Sequence, residues 1–232
     1  MRPFIILEQR SVLSILVIIV AFIFIILHFR PAALDPNFVA HQAQLTLAQA
    51  SSYRFQLSVR TVIDQQDQVV SRIIGEFVQP NTYHLQGTSY DYKLDLYHLN
   101  DELLFLDPVD NRWKKSSAAP SLVTEAVLFT TSPIADFLTA QEFDLITNER
   151  IPGKRVYHLS SQLTNIANPY WEIFFSDFQL ESCVNYPSYQ VQRLRLHGTN
   201  SQNDTLLIEL TFSDYNQISN ITAPEQTVQE KM

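Results

Sequence analysis

Six histidines, His28, His41, His84, His98, His158 and His197, and one cysteine, Cys183, are the side chains with which this chain could hold a metal or build a nucleophile and its base. Zinc requires ligands at HxH, HxxxH or HExxH spacing, and none of the six histidines forms such a pair. Cys183 has no second cysteine for a disulfide or a thiolate metal site, and nothing in the sequence places a histidine beside it. Its expected state is a buried apolar thiol. GxSxG and SxxK do not occur, which removes the common serine-hydrolase signatures. The four glycines, Gly75, Gly87, Gly153 and Gly198, stand alone, so no phosphate-cradling GxGxxG or GxxxxGK loop can be built. These absences predict a protein that is not an enzyme, with no cofactor and no metal.

Charge narrows the partners. A net charge of −8 over 232 residues offers no basic face to displace the counterions of a nucleic acid. Arg112-Trp113-Lys114-Lys115 is the densest basic cluster. It reads as a solvated strand end, or, more specifically, as a contact with lipid headgroups. Asp101, Asp107 and Asp110 sit in turns, where Asp bonds to its own backbone.

The elements that position these side chains start with an apolar run. Between Arg10 and Arg30 lies SVLSILVIIVAFIFIILHF, 19 residues without a formal charge. As a helix it is about 28 Å long, the thickness of a bilayer's hydrocarbon core. It is too long for a signal-peptide core, and Pro31-Ala32-Ala33 is a poor cleavage site, although cleavage stays the competing reading. The sequence therefore predicts a cytoplasmic stretch over 1–10, a signal-anchor helix over 11–29, a folded domain over 30–224 and a polar tail over 225–232. Arg2 and Arg10 precede the span, which puts the N-terminus in the cytoplasm and the domain outside the plasma membrane.

Beyond Pro31, Asp35-Pro36 is a helix start, with Phe38, Val39, Leu45 and Ala48 expected on one face. The period then becomes two. In SYRFQLSVRT, the residues Tyr53, Phe55, Leu57 and Val59 alternate with Arg54, Gln56, Ser58 and Arg60. Similar runs follow every 10–15 residues with short polar turns, including YDYKLDLYHL, with Tyr90, Tyr92, Leu94 and Leu96 on one face. Such spacing predicts an antiparallel meander. The middle, Pro120 to Ala140, carries helical spacing interrupted at Ser132-Pro133, which predicts two short helices. After it the strand period resumes at Phe143. Pro169 opens a helical turn that runs to Phe178, and three strands close the chain. About ten to eleven strands must curl or split, and with helices to cover the apolar face this is an α+β, mainly β fold: a strongly curved antiparallel half-barrel.

Read in order from residue 36 to 224, the SYRFQLSV strand, LYHLNDELLFLDPVDNRWKK, IPGKRVYHL and LLIELTFSDYNQISNITAP resemble the lipoprotein-carrier-like superfamily of LolA/LolB and LppX/LprG-type proteins. The resemblance implies an eleven-stranded half-barrel lidded by helices, around a cavity that takes up acyl chains. The same fold also serves as a sensor domain of envelope-stress regulators. LppX-type members carry a lipidated cysteine, whereas this chain has an apolar N-terminal run, which favours a membrane-fixed acceptor, extractor or sensor over a shuttle.

The expected ligand-binding surface is the lining formed by Tyr53, Phe55, Leu57, Val59, Phe77, Tyr83, Leu85, Tyr92, Leu94 and Leu96. Two functions follow. One is a membrane-anchored extracytoplasmic protein that binds a lipid or a lipoprotein acyl chain. The other is a cell-envelope sensor or interaction module, with an envelope protein as partner and no exchangeable ligand.

Overall fold

The computed structural model describes residues 19, 34–99, 102–107, 109–116, 121–151 and 154–224. The chain divides between Leu34 and Asp35, and the fold is that of the unit beginning at Asp35. The expected anchor over 11–29 lies outside the described residues save for Ile19, as do residues 1–10 and the tail over 225–232. No helix among the described residues is long and apolar enough to cross a membrane.

Helix α1 spans Pro36–Gln49. Asp35 caps it by accepting a 2.9 Å hydrogen bond from the Asn37 amide, and Pro36 occupies the first turn, where its missing N–H is not needed. Its buried face is Val39, Ala40, Ala43 and Leu47, a correction to the expected stripe, since Phe38 and Leu45 are 47% and 40% exposed. Two alanines let the helix lie close on β7–β9, whereas Phe38 leans edge-on against the Tyr189 ring at 6.1 Å.

Eleven strands follow: β1 Ser52–Ile63, β2 Gln66–Val78, β3 Thr82–Ser89, β4 Tyr92–Leu99, β5 Glu102–Leu106, β6 Trp113–Ser116, β7 Asp144–Ile151, β8 Lys154–Leu163, β9 Asp177–Tyr186, β10 Val191–Thr199 and β11 Thr205–Ser213. They form one antiparallel sheet in the order β6-β5-β4-β3-β2-β1-β11-β10-β9-β8-β7. This is the mainly β half-barrel architecture that the alternation predicts. Its register stacks apolar partners on one face: Leu57 pairs with Ile73 and Leu210, Val59 with Ile208, Leu85 with Leu96, and Leu180 with Leu196. All of these are buried, and the opposite face is largely polar, with Ile74 and Ile146 exposed on it. Bulges at Val59/Arg60, Leu145/Thr147 and Val191/Arg193 bend the strands locally.

Helix α2, Ser121–Thr139, runs unbroken through Pro133, where two helices were expected. An interior proline costs about 3 kcal/mol. Here the stripe on both sides of it is buried, with Ala126 and Phe129 before and Asp136 and Phe137 after, and that burial holds the helix straight through. Gln44 of α1 fixes its end, donating from Nε2 to the Phe137 and Ala140 carbonyls at 2.8 Å each. A short turn of helix, α3 Pro169–Glu172, is capped by Asn168 and ends well before Phe178, which already belongs to β9. Its Trp171 stacks on Phe129 of α2 at 5.5 Å.

Candidate functional site

The first strands and α2 leave a cavity of about 140 Å³ between them. Tyr53 and Phe55 of β1, Phe77 of β2, and Tyr83 and Leu85 of β3 form the sheet side; Val127, Thr130, Thr131 and Ile134 form the helix side, and Asn81 closes the turn. The alternation of β1 puts Tyr53 and Phe55 on the same face two residues apart, and the pairs Tyr53↔Phe77 and Phe77↔Tyr83 carry that face across three strands. Tyr53 is held by rings on two sides, Phe77 at 4.9 Å and Phe212 at 5.6 Å.

Among the described residues, no charged side chain lines this cavity. Burial pushes the Tyr53 hydroxyl up to about 12 and raises Tyr83 as well, so both stay protonated at neutral pH. The Thr130 and Thr131 hydroxyls both turn back to the Val127 carbonyl, at 2.7 and 3.0 Å, so neither needs a polar partner from a ligand. An apolar wall whose threonine hydroxyls are satisfied suits a hydrocarbon or a ring.

Five of the ten residues expected from the sequence, Tyr53, Phe55, Phe77, Tyr83 and Leu85, line this cavity. Leu57, Val59, Leu94 and Leu96 are no more than 3% exposed and belong to the packed core beyond it. Tyr92 is 54% exposed. Its hairpin turn needs two residues with positive φ, and Tyr90 (48°) and Asp91 (65°) supply them, so the strand begins only at Tyr92. Tyr90 is therefore a turn residue, not a strand residue. The helix-side residues Val127, Thr130, Thr131 and Ile134 had no signal beyond helical spacing, and Asn81 none at all.

Several of the remaining side chains with chemical potential are held in local pairs. His84 bonds Asp95 at 3.0 Å on the polar face, stacked on Tyr97 at 4.0 Å, while His98 stacks on Tyr83 at 4.9 Å and meets the Asn81 carbonyl at 2.7 Å. Cys183 does have a histidine beside it: His158 Nδ1 lies 3.2 Å from Sγ, with Arg193 Nη2 donating at 3.3 Å from the other side. Burial pushes the thiol up despite the Arg193 guanidinium. The two lysines of the basic cluster are paired at short range, Lys114 with Asp107 and Asp110, and Lys115 with Glu102 at 2.6 Å. Among the described residues, no three His, Cys, Asp or Glu side chains gather as a metal site.

No protein-family model matches the sequence, and no curated protein matches it. Solved structures do match. The lipoprotein LppX of Mycobacterium tuberculosis superposes with a TM-score of 0.51 at 14% identity, over 81% of this chain and 100% of that one. LprF of Mycobacterium bovis superposes with a TM-score of 0.57 at 9% identity, over 83% of this chain and 98% of that one. The chain has the fold of LppX and LprF. At these identities the likeness is one of architecture, and it bears out the fold that the order of helix, meander, helical middle and closing strands implied.

Proposed function

We propose that this protein binds a lipid or an acyl chain in the cavity beneath α2. The observation that carries this reading is the uncharged aromatic and aliphatic lining of that cavity, on the inner face of a fold shared with a protein described as a lipoprotein. Burial at about 25 cal/mol per Å² of apolar surface would drive uptake. A cavity of about 140 Å³ is the size that accepts a benzene-like ring. A full acyl chain needs more room, so its entry requires α2 to move off β1–β3. The anchor over 11–29 would hold the domain at the outer face of the plasma membrane, with the N-terminus in the cytoplasm.

The smallness of the cavity favours a second reading: a cell-envelope interaction module whose interior is filled by its own side chains. Solvent extraction and mass spectrometry of the purified full chain separate the two. A stoichiometric lipid that disappears in Val127→Trp, with circular dichroism unchanged, supports the binding reading. A blank, repeated after incubation with membrane extract, supports the interaction module.

A further inference from the structure

The segment between β8 and β9 holds apolar side chains out in solvent. Its helical turn continues past α3, with the Phe174 and Phe175 amides both donating to the Trp171 carbonyl, at 3.1 and 2.9 Å. Tyr170, Ile173 and Phe174 therefore share one side of the turn, and they are 59%, 71% and 62% exposed. Trp171 and Phe175 are buried beneath them, Trp171 against Phe129 of α2. The presentation is fixed from both ends. Asn168 caps the turn, and Glu172 accepts from the Ile166 amide at 2.9 Å. The Ser176 amide donates to the Thr199 carbonyl at 2.9 Å, and Asn200 Nδ2 donates to the Phe174 carbonyl at 3.2 Å. A single exposed apolar residue needs no explanation, whereas three on one rigid turn mark a contact surface.

We propose that this turn is a second membrane contact, in which Tyr170, Ile173 and Phe174 dip into the interfacial layer of a lipid bilayer. Connectivity argues for that occupant. The Ala167 amide donates to Asp136 of α2 at 2.6 Å, the Phe137 ring meets Phe143 at 5.9 Å, and the Phe143 amide donates to Asn37 of α1 at 2.8 Å. The turn and the first residues of the domain are thus joined through the last turn of α2. Residues 30–34 alone separate Asp35 from the apolar run over 11–29, and fully extended they reach about 20 Å. With that run across a bilayer, this end of the domain meets the membrane surface. Charge sets the mode of contact. No Lys or Arg lies between Arg155 and Arg193, and Glu172, the one charge of residues 164–176, is engaged by the Ile166 amide. Insertion then draws on apolar burial and on a tyrosine ring at the interface, not on headgroup charge. The choice of occupant rests on the anchor reading and is independent of what the cavity binds.

Tryptophan quenching by brominated phosphatidylcholine tests this on the full chain reconstituted in vesicles. Three reporters are compared with the wild type: Phe174→Trp on the turn, Ile74→Trp on the outer face of β2, and Ile19→Trp near the middle of the apolar run. Phe174 and Ile74 are exposed, so these two reporters keep the fold. The expected result is a blue shift and a loss of the emission that Phe174→Trp adds. The loss should be greater with bromines near the headgroup than near the chain ends, because an interfacial side chain sits about 5–10 Å deep. It should persist at about 1 M salt, gain nothing from anionic lipid, and shrink when Tyr170→Asp and Ile173→Asp are added. Ile74→Trp should stay unquenched. Ile19→Trp reads the anchor separately: if it is unquenched while Phe174→Trp is quenched, the membrane contact stands and the anchor reading fails. Phe174→Trp unquenched, or quenched no more than Ile74→Trp, overturns the proposal whatever Ile19→Trp reports, and leaves the turn to a protein partner.

Discussion

Cys183 and His158 face each other across one rung of the β8–β9 ladder, Sγ to Nδ1 at 3.2 Å. Arg193 donates to the sulfur from the next strand, so the sulfur lies between a guanidinium and an imidazole. The pair has the partners of an activated nucleophile, yet burial outweighs the guanidinium and keeps the thiol protonated.

Alkylation measures that balance. Iodoacetamide at neutral pH should modify Cys183 more slowly in the folded chain than in denaturant, because burial raises the thiol and lowers its thiolate fraction. Equal rates in the two states would show that the sulfur is neither shielded nor held protonated.

Asp136 sets a pH dependence. It is 4% exposed on α2, its Oδ1 accepts from the Ala167 amide at 2.6 Å, and its Oδ2 has no partner. Burial pushes it up to about 6, with the nearby Glu172 charge adding to the effect. The folded state therefore holds this proton more tightly than the unfolded chain. The stabilisation is complete below the unfolded carboxyl's value near 4 and is lost as pH rises through about 6. Thermal melts from about pH 4.5 to 7.5 should show up to about 2–3 kcal/mol of this loss, and Asp136→Asn should flatten it. A wild-type melt with no slope in that window contradicts the assignment.

Gly75 lies under the ring of Phe55. A Cβ there would stand 2.0 Å from Phe55 Cζ, which no rotamer of a buried ring tolerates in place. Gly75→Ala should destabilise the fold by about 1–3 kcal/mol, because Phe55 must swing away. Phe55 lines the apolar cavity, so the same substitution should alter lipid retention; calorimetry and solvent extraction read the two effects separately.

Gln44 is the tie between the helices. Gln44→Leu leaves two carbonyls at the end of α2 without their donor, for a loss of about 1–3 kcal/mol. Amide exchange should quicken over the last turn of α2, read most directly at Ala140, whose amide bonds the Asp136 carbonyl. Exchange that quickens uniformly across the sheet instead would mean the tie serves the whole domain.

What the sequence disclosed was whatever a period of two or 3.6 encodes. Tyr53, Phe55, Leu57 and Val59 alternate, and all four are buried on one face. The same logic misplaced Tyr92, because the demand of a two-residue turn for positive φ at Tyr90 and Asp91 is not written in hydrophobicity. It also rotated α1, since the alanines that permit close packing on the sheet carry less apolar signal than Phe38 and Leu45. Pro133 reads as a break until the burial on both sides of it is known. Cys183 and His158 are 25 residues apart, and only strand register brings them together. Half of the expected lining stands at the cavity for the same reason: alternation names the inner face, while the gap beneath α2 is decided by where the helix comes to rest.

The strand order carries a mechanical consequence. β1 and β11, first and last in the chain, are neighbours in the middle of the sheet, and Arg54 near the start of one pairs with Ser213 at the end of the other. A tension applied through residues 51 and 214 would therefore pull at adjacent ends of one antiparallel pair. The rungs would give way in succession, as in unzipping, instead of resisting together in shear, and the sheet would open through its centre into two halves, β1–β6 and β7–β11.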